Sequence, residues 1–234
     1  MSLLAALVPV LTAPGDDGGI PVVSERLHGR ALFVHAAASA VAAFADRAVV
    51  SSPFGGAPSV AASLATADLA GVQVFDGGDT LGEVITTLLT ARPGRSRDTA
   101  RVLLVHDPLC PLVPSAFLSS MLERALAEPG VVHAATRPMT DTVKSVVDGV
   151  VSSTVDRDLL RVLSSPLVLP VGLLRDLVDD GSLAGCADPV ALVERARTVG
   201  APVHWAPAPA IGRRVGTAAA VSVLECLTEV RAAG

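Results

Sequence analysis

Short apolar segments alternate with segments of helical periodicity along most of the chain. The apolar segments have the length of strands and show no alternation of apolar and polar residues, which is typical of strands buried on both faces of a sheet. The predicted strands are Leu3–Leu11, Arg47–Val50, Val72–Phe75, Val102–His106 and Val131–Ala135. Repeated alternation of strands and helices predicts a single α/β domain over residues 1–234, with a mostly parallel sheet and helices on both faces.

The segment after Pro114 gives the clearest helical signal. Proline suits the first turn of a helix, and Pro129-Gly130 suits the residues just beyond its end. The apolar residues that recur on one face are Phe117, Leu118, Met121, Leu122, Ala125 and Leu126. The pattern then predicts helices over Val171–Asp179 and Pro189–Thr198 and a short strand over Val203–Trp205. A last helix follows, and its predicted buried stripe is Ala220, Val223, Leu224, Leu227 and Val230.

One segment breaks this alternation. Thr142–Val147 and Val150–Val155 are rich in β-branched residues, and Asp148-Gly149 lies between them. Asp-Gly favours the type I′ turn, whose twist matches that of a hairpin, so the sequence predicts a β-hairpin arm over residues 139–157. Because a lone hairpin is marginal in water, we expect its apolar surface to pack against another part of the assembly. The residues of that surface are Val143, Val147, Val151 and Val155.

Composition argues against several classes of function. Hydrophobic residues make up 50% of the chain, but the apolar stretch Ala31–Ala45 is interrupted by His35 and Ser39 and is shorter than the roughly 20 residues of a membrane span. A net charge of −5 and an aromatic content of 3%, without tyrosine, argue against nucleic acid as a partner. Three widely spaced cysteines favour a reduced compartment. We therefore expect a cytoplasmic protein that binds neither membranes nor nucleic acid.

Several short segments carry residues that could perform chemistry. Asp107 follows directly after a predicted strand, which is where open α/β sheets bind ligands. The other segments are Asp76-Gly77-Gly78-Asp79, Met139-Thr140-Asp141-Thr142-Val143-Lys144, Thr154-Val155-Asp156-Arg157 and Ser164-Ser165-Pro166. In this order and spacing they resemble the 2-C-methyl-D-erythritol 4-phosphate cytidylyltransferase family, which uses CTP in the non-mevalonate isoprenoid pathway. The resemblance implies a Rossmann-like nucleotidyltransferase domain.

The resemblance implies roles for individual residues on the nucleotide side. Asp107 falls on the family position that holds the metal, so it is expected to bind Mg²⁺ and to be catalytic. Arg214 falls where the family has a C-terminal lysine, and it is the second expected catalytic residue. Gly78 and Asp79 fall on the segment that opens a helix near the nucleotide base, so they are expected to bind CTP, the co-substrate.

The same resemblance implies a binding site for the second substrate. Thr142 and Arg157 match positions that bind the substrate phosphate, on an arm that reaches into the partner subunit. Ser165 replaces a threonine of the family and keeps the hydroxyl group. The resemblance therefore implies a homodimer through the hairpin arm, and a sugar-phosphate or polyol-phosphate ligand bound by these three residues.

The chain departs from the family pattern at several charged positions. In the glycine-rich loop after the first strand, Val22 stands where the family has a lysine, and Asp16 and Asp17 add negative charge. Cys110 replaces an arginine shortly after the first catalytic candidate, and the only lysine of the chain is Lys144, on the arm. Two hypotheses stay open. The first is a divergent homologue with weak or lost catalysis that binds a phosphate ligand or a protein partner, and the second is an active nucleotidyltransferase with an altered loop.

Each candidate also has a purely structural interpretation. The glycine cluster Gly15–Gly19 would be an ordinary flexible turn. Thr80-Leu81-Gly82-Glu83 would be a helix capping box rather than part of a base-binding site. Asp107 would stabilise its own loop, and Thr142 and Arg157 would belong to a solvated hairpin.

Overall fold

The computed structural model of the protein describes residues 2–11, 22–91 and 101–232. Its strands are β1 (Ser2–Pro9), β2 (Arg26–Leu27), β3 (Arg30–Ala31), β4 (Ala48–Ser52), β5 (Gln73–Asp76), β6 (Arg101–Val105), β7 (Val132–Pro138), β8 (Val143–Val147), β9 (Val150–Val155), β10 (Arg161–Pro170) and β11 (Val203–Pro207). Its helices are α1 (Leu32–Phe44), α2 (Ala57–Ala65), α3 (Leu81–Ala91), α4 (Ser115–Ala127), α5 (Val171–Asp179), α6 (Pro189–Thr198) and α7 (Ala218–Ala232). The glycine cluster Gly15–Gly19 lies outside the described residues.

Seven strands form the central sheet, in the order β11-β7-β10-β6-β1-β4-β5. β10 runs antiparallel to both of its neighbours, and the other neighbouring pairs are parallel. The predicted mostly parallel α/β fold is therefore confirmed. The apolar pattern does not predict β10, because Ser164 and Ser165 interrupt it. The strand changes register between Leu163 and Leu167, and both serines are buried there.

Helices cover both faces of the sheet, so the inner strands are buried on two sides. In β6, Leu103 and Val105 belong to a core cluster with residues of α3, α5 and α6, whereas Val102 and Leu104 belong to a second cluster with residues of α1, α2 and α4. This burial explains why the strands are continuous apolar runs in the sequence. Within the described part of the chain, no helix is both long enough and apolar enough to cross a membrane.

The predicted buried stripe of α7 is wrong in part. Val221 and Leu224 are buried, whereas Val223 and Leu227 are about half exposed. The side chain of Val230, also predicted in the stripe, lies outside the described residues. The buried pair packs against a small cluster that contains Leu27, Leu32 and Val215. Because the cluster under α7 is small, the helix buries fewer of its apolar side chains than the predicted stripe includes.

The predicted hairpin arm is present as β8 and β9, which form a two-stranded sheet of their own. Asp148 and Gly149 connect the strands with φ angles of 51° and 79°, and positive values at both residues are what a type I′ turn requires. The exposed apolar surface differs from the prediction, because Val143 and Val155 pair with each other at the base of the arm and are half-buried. The exposed valines of the arm are Val146, Val147, Val150 and Val151.

One serine hydroxyl connects the carboxyl end of β6 to β10. Oγ of Ser165 accepts a hydrogen bond from the backbone N–H of Asp107 at 3.1 Å and shares another with Nδ1 of His106 at 2.5 Å. The backbone N–H of His106 donates to the carbonyl oxygen of Leu7 in β1 at 2.8 Å. Burial lowers the pKa of His106 from 6.5 to about 3, so its imidazole is neutral in the folded protein at pH 7.

We predict that His106 makes the protein less stable at mildly acidic pH. Its pKa is 6.5 in the reference state and about 3 in the folded protein, so between these values the unfolded chain binds one more proton than the folded chain. As the pH falls through this window, the free energy of unfolding should decrease by up to about 1.4 kcal/mol per pH unit from this residue. Urea denaturation at a series of pH values measures the slope.

His106→Gln removes the titrating group, so its slope should be flatter than that of the wild type by about one proton. His28→Gln serves as the control, because it makes the same exchange at an exposed histidine. An equal change of slope in His28→Gln, or an unchanged slope in His106→Gln, would contradict the assignment to His106.

Candidate active site at the end of β6

Asp107 lies at the carboxyl end of β6 and is largely buried, with 9% of its surface exposed. Its Oδ1 accepts a hydrogen bond from the backbone N–H of Leu109 at 2.9 Å, which turns the loop back on itself. Its Oδ2 accepts a hydrogen bond from Nε of Arg214 at 2.8 Å. Both oxygens of the carboxylate are therefore bonded within the protein.

The segment that carries Arg214 is fixed by bonds to the two neighbouring segments. The backbone N–H of Val215 donates to the carbonyl oxygen of Leu109 at 2.8 Å, and the hydroxyl of Ser164 donates to the carbonyl oxygen of Gly212 at 2.8 Å. Burial opposes the charge of Arg214, but the carboxylate of Asp107 outweighs this effect and raises the pKa of the guanidinium above its ordinary value. The pair is thus a charged ion pair in a partly buried position.

A cavity of about 220 Å³ opens beside this ion pair. Its charged lining residues are Asp107, Asp188 and Arg214, so carboxylates outnumber guanidinium groups. Asp188 is also the N-cap of α6, where Oδ1 accepts from the backbone N–H of Ala191 at 2.9 Å. Ligand pockets usually measure roughly 300–1,000 Å³. The part of this cavity that the described residues line lies below that range.

Cys110 occupies the position at which the family resemblance expects an arginine. The side chain is completely buried, and its Sγ lies 3.9 Å from Oγ of Ser164. Burial raises the pKa of the thiol far above its ordinary range, and the nearby charge of Asp107 acts in the same direction. Cys110 is therefore a neutral packing residue and supplies no charge to the site.

The residues around Asp107 do not fit Mg²⁺ in this conformation. Mg²⁺ is bound in proteins by one or two carboxylates together with water and substrate phosphates. Here the Asp107 carboxylate is already neutralised by Arg214, and the guanidinium stands where it would repel a cation. The role of Asp107 as a metal ligand stays a prediction, and it requires that the ion pair opens.

The segment before α3 forms the helix capping box that the sequence allows. Oε2 of Glu83 accepts from the backbone N–H groups of Asp79 at 2.9 Å and Thr80 at 3.2 Å, and the backbone N–H of Glu83 donates to Oγ1 of Thr80 at 3.2 Å. Gly78 has a φ of 119°, and a Cβ there would lie 2.6 Å from Cβ of Glu83. The glycine is thus required by the cap itself, and nucleotide contacts of Gly78 and Asp79 stay predictions.

Thr142 and Arg157 lie on the hairpin arm and are exposed. Nη1 of Arg157 donates to the carbonyl oxygen of Thr140 at 2.9 Å. Within one protomer the structure brings Ser165 and Arg214 together around Asp107, since both form hydrogen bonds with that residue. Ser165 is almost fully buried, so its role as a direct phosphate contact stays a prediction.

The sequence does not predict Asp188 as a residue of this region, and it does not predict the contacts of Ser164 and Glu83 there. A signal for Asp188 was present in the sequence, because Asp188-Pro189 before an apolar helix pattern is typical of a helix N-cap. In an α/β fold, the N-terminus of a helix that follows a strand lies near the carboxyl end of that strand. No local signal could identify Ser164, since its partner is the carbonyl oxygen of Gly212 in a distant segment. The sequence predicts Glu83 as part of a capping box. It does not show that the Glu83 carboxylate binds the backbone of Asp79, a residue expected to bind CTP.

The chain is similar to known proteins over most of its length. The model of the family described as 2-C-methyl-D-erythritol 4-phosphate cytidylyltransferase matches residues 18–219. The enzyme of that name from Nocardia farcinica is 30% identical over 229 residues, which cover 97% of this chain and 87% of the relative. The enzyme from Geotalea uraniireducens is 33% identical over 109 residues, covering 46% of this chain and 45% of the relative. The chain spans about half the length of the first curated relatives that it matches.

Solved structures support the same fold. The crystal structure of 2-C-methyl-D-erythritol 4-phosphate cytidylyltransferase from Thermus thermophilus superposes with a TM-score of 0.71, covering 96% of this chain and 98% of the other. The sequence identity is 20%, so this similarity concerns the fold alone. From the family match and the relative that is similar over nearly the whole chain, the protein belongs to the 2-C-methyl-D-erythritol 4-phosphate cytidylyltransferase family.

Proposed function

We propose that the protein is a divergent cytidylyltransferase homologue in which CTP-dependent transfer is weak or lost, and that it binds a phosphate ligand or a partner. The observation that carries this proposal is the ion pair between Asp107 and Arg214. The carboxylate expected to hold Mg²⁺ and the guanidinium of the second expected catalytic residue neutralise each other at a distance of 2.8 Å. Nucleotidyl transfer needs both charges directed at the substrate.

The lining of the cavity and the sequence of the glycine-rich loop also argue against a triphosphate. The cavity beside the ion pair has two carboxylates and the guanidinium of Arg214 in its lining. The glycine-rich loop has Asp16 and Asp17, and it has Val22 in place of a lysine. Loss of one transition-state donor typically costs a factor of about 10²–10³ in rate. Several missing donors would therefore reduce turnover strongly.

The capping box before α3 opposes nucleotide binding in a second way. The backbone N–H groups of Asp79 and Thr80 donate to the carboxylate of Glu83. A nucleotide base that approached Gly78 would have to displace this carboxylate, and a phosphate group would also meet its negative charge. The arrangement supports weak binding of CTP.

The arm, in contrast, offers groups for a phosphate. Arg157 and Thr142 are exposed, and Arg157 donates to Thr140 from Nη1. A guanidinium has five N–H donors, so this side chain can keep its backbone contact and still bind a phosphate group. We infer that the ligand is a small sugar phosphate or polyol phosphate, bound where the arm of one subunit meets the Asp107 region of another.

The exposed surface of the arm supports association through it. The hairpin forms its own two-stranded sheet, and its tip exposes a patch of valines. A two-stranded hairpin is marginally stable alone and gains stability when its apolar surface is covered. We therefore propose a homodimer in which the arm of each subunit packs on the other. The exposed valines are Val146, Val147, Val150 and Val151, each more than half exposed.

The second candidate function is an active nucleotidyltransferase with an altered glycine-rich loop. It is favoured by the position of Asp107 at the carboxyl end of β6, where ligands bind in open α/β sheets. In such an enzyme the ion pair with Arg214 would open when Mg²⁺ and CTP bind. Arginines such as Arg30 or Arg213 would then replace the missing lysines.

We predict that turnover of CTP with 2-C-methyl-D-erythritol 4-phosphate and Mg²⁺ is far below the roughly 1–10³ s⁻¹ of ordinary enzymes. Pyrophosphate release measures turnover, and the melting temperature with and without CTP and Mg²⁺ measures nucleotide binding, because a ligand that binds only the folded state stabilises it. Asp107→Asn serves as the control for residual activity from another source. Turnover within the ordinary range that Asp107→Asn abolishes would establish the active enzyme instead.

We predict that the wild type binds a small sugar phosphate and that Arg157→Ala weakens this binding at least tenfold. A charge-assisted hydrogen bond from arginine contributes roughly 1.5–3 kcal/mol, and a factor of ten corresponds to about 1.4 kcal/mol. Calorimetric titration with 2-C-methyl-D-erythritol 4-phosphate measures the affinity. Arg197→Ala, which removes an exposed arginine from α6, should change it little. Absence of binding by the wild type at millimolar ligand would favour a protein partner over a phosphate ligand.

We predict that the protein is a homodimer and that charges at the tip of the arm dissociate it. Light scattering should give a mass of about twice 23.7 kDa for the wild type at micromolar concentration. The double variant Val147→Asp and Val151→Asp should give the monomer mass. In a dimer the two introduced carboxylates would be buried without partners, which is strongly unfavourable. Val199→Lys also places a charge on an exposed valine, but outside the arm, and should stay dimeric. A monomeric wild type would contradict the prediction.

A further inference from the structure

Two histidines and a glutamate come together where β7 and β11 begin. His133 in β7 and His204 in β11 are direct neighbours in the parallel pairing of these strands, and their ring centroids are 5.5 Å apart. Glu128 follows α4 and precedes β7 by a short turn, so its side chain reaches the same place. One possible ligand atom from each of the three residues lies within 4.8 Å of the other two.

The imidazole of His133 has an unsatisfied nitrogen. The side chain is 2% exposed, and its Nε2 is buried without a hydrogen-bond partner among the described residues. A buried polar atom without a partner is unfavourable and calls for an explanation. The atom lies 3.9 Å from Oε2 of Glu128, which is too far for a hydrogen bond but leaves space for an atom between them. Oε2 itself is 2.7 Å from Nδ1 of His204.

We propose that Glu128, His133 and His204 bind a divalent transition-metal ion of the Zn²⁺ class. Two imidazoles and one carboxylate are a ligand set that Zn²⁺ accepts, with water in the fourth position. The metal would take the unsatisfied lone pair of His133 and would replace the hydrogen bond between the other two side chains. The ion would be structural, because none of its ligands lines the cavity beside Asp107.

The distances are close to those that a metal requires. Ligand atoms about 2.1 Å from a tetrahedral ion are about 3.4 Å from one another. The observed 3.9 Å between His133 and Glu128 is slightly longer, and the 2.7 Å between Glu128 and His204 is shorter. His204 and Glu128 are 61% and 45% exposed, so both side chains can make the small movements that equalise these distances. Only the buried His133 is fixed.

The electrostatic environment leaves the site able to bind a cation. Burial lowers the pKa of His133, so its imidazole is neutral at pH 7 and keeps a lone pair for the metal. The carboxylate of Glu128 supplies one negative charge. The hydrogen bond with His204 is the main cause that lowers the pKa of Glu128, and the charge of Arg124 in the last turn of α4 is a smaller one that acts against a bound cation. The site is therefore expected to select a metal with high affinity for imidazole over one held by charge alone.

The position in the fold suggests what the ion would do. Among the strands that the structure describes, β11 is at the edge of the sheet and pairs only with β7. His204 belongs to this edge strand, whereas Glu128 belongs to the turn between α4 and β7. A metal would thus fix an edge strand to the body of the protein through side chains, in addition to the backbone hydrogen bonds. Edge strands that are held in this way are less able to pair with other chains.

The test is a calorimetric titration of the untagged protein with Zn²⁺, in a Cys226→Ser background because this thiol is exposed and could bind Zn²⁺ itself. We expect saturable binding of about one equivalent and a higher melting temperature in the presence of Zn²⁺. His204→Ala and Glu128→Gln change exposed side chains, so both variants should fold, and each should weaken binding at least tenfold. His133 is left unchanged because its replacement could disturb the core.

His28→Ala is the matched control, because His28 also lies beside an exposed glutamate, Glu225, at 3.7 Å. This variant should bind Zn²⁺ with the affinity of the Cys226→Ser background. Absence of saturable binding at micromolar Zn²⁺, or equal affinity in the background, His204→Ala and Glu128→Gln proteins, would overturn the proposal. A loss of affinity in His28→Ala as large as that in His204→Ala would overturn it as well.

Discussion

A sheet that is covered by helices on both faces excludes water, so each polar group that enters it must find its partner within the protein. The carboxyl end of β6 meets this requirement in part through Ser165, whose hydroxyl binds Nδ1 of His106 and the backbone N–H of Asp107, whereas Nε2 of His106 has no hydrogen-bond partner among the described residues. Asp107 in turn binds Leu109 and Arg214. Buried hydrogen-bond networks of this kind are costly when they are only partly satisfied. The loops around the candidate site are therefore fixed by the same bonds that pair buried polar groups at the end of β6.

The charge of the site follows from this network. Arg214 is ion-paired with Asp107, and any role in binding phosphate has to compete with that pair. In a partly buried position the pair is screened less than an exposed one, so a ligand must supply more charge to open it. Asp188 adds a second carboxylate to the lining of the cavity beside the pair. The described lining therefore carries more negative than positive charge.

Much of the fold could be predicted from local patterns, because strands buried on both faces and helices with one apolar face leave a clear periodicity. α5 and α6 have the predicted bounds, and the Asp148-Gly149 turn is present. β10 could not be predicted in this way, because its buried serines depend on partners in distant segments. The same reason applies to the site. Its residues could be aligned with family positions, but no local pattern shows that Arg214 binds Asp107, since the two residues are 107 positions apart in the sequence.

Residues of the site that also support the fold say little about catalysis. Ser165 satisfies buried groups of β6, and Gly78 is required by the cap of α3, so an inactive protein needs both of them as much as an active one does. Arg157 and Thr142 are different, because they are exposed and belong to none of the core clusters. Both side chains can therefore be replaced without disturbing the hydrogen bonds at the end of β6, so the proposed phosphate site can be tested separately from the fold.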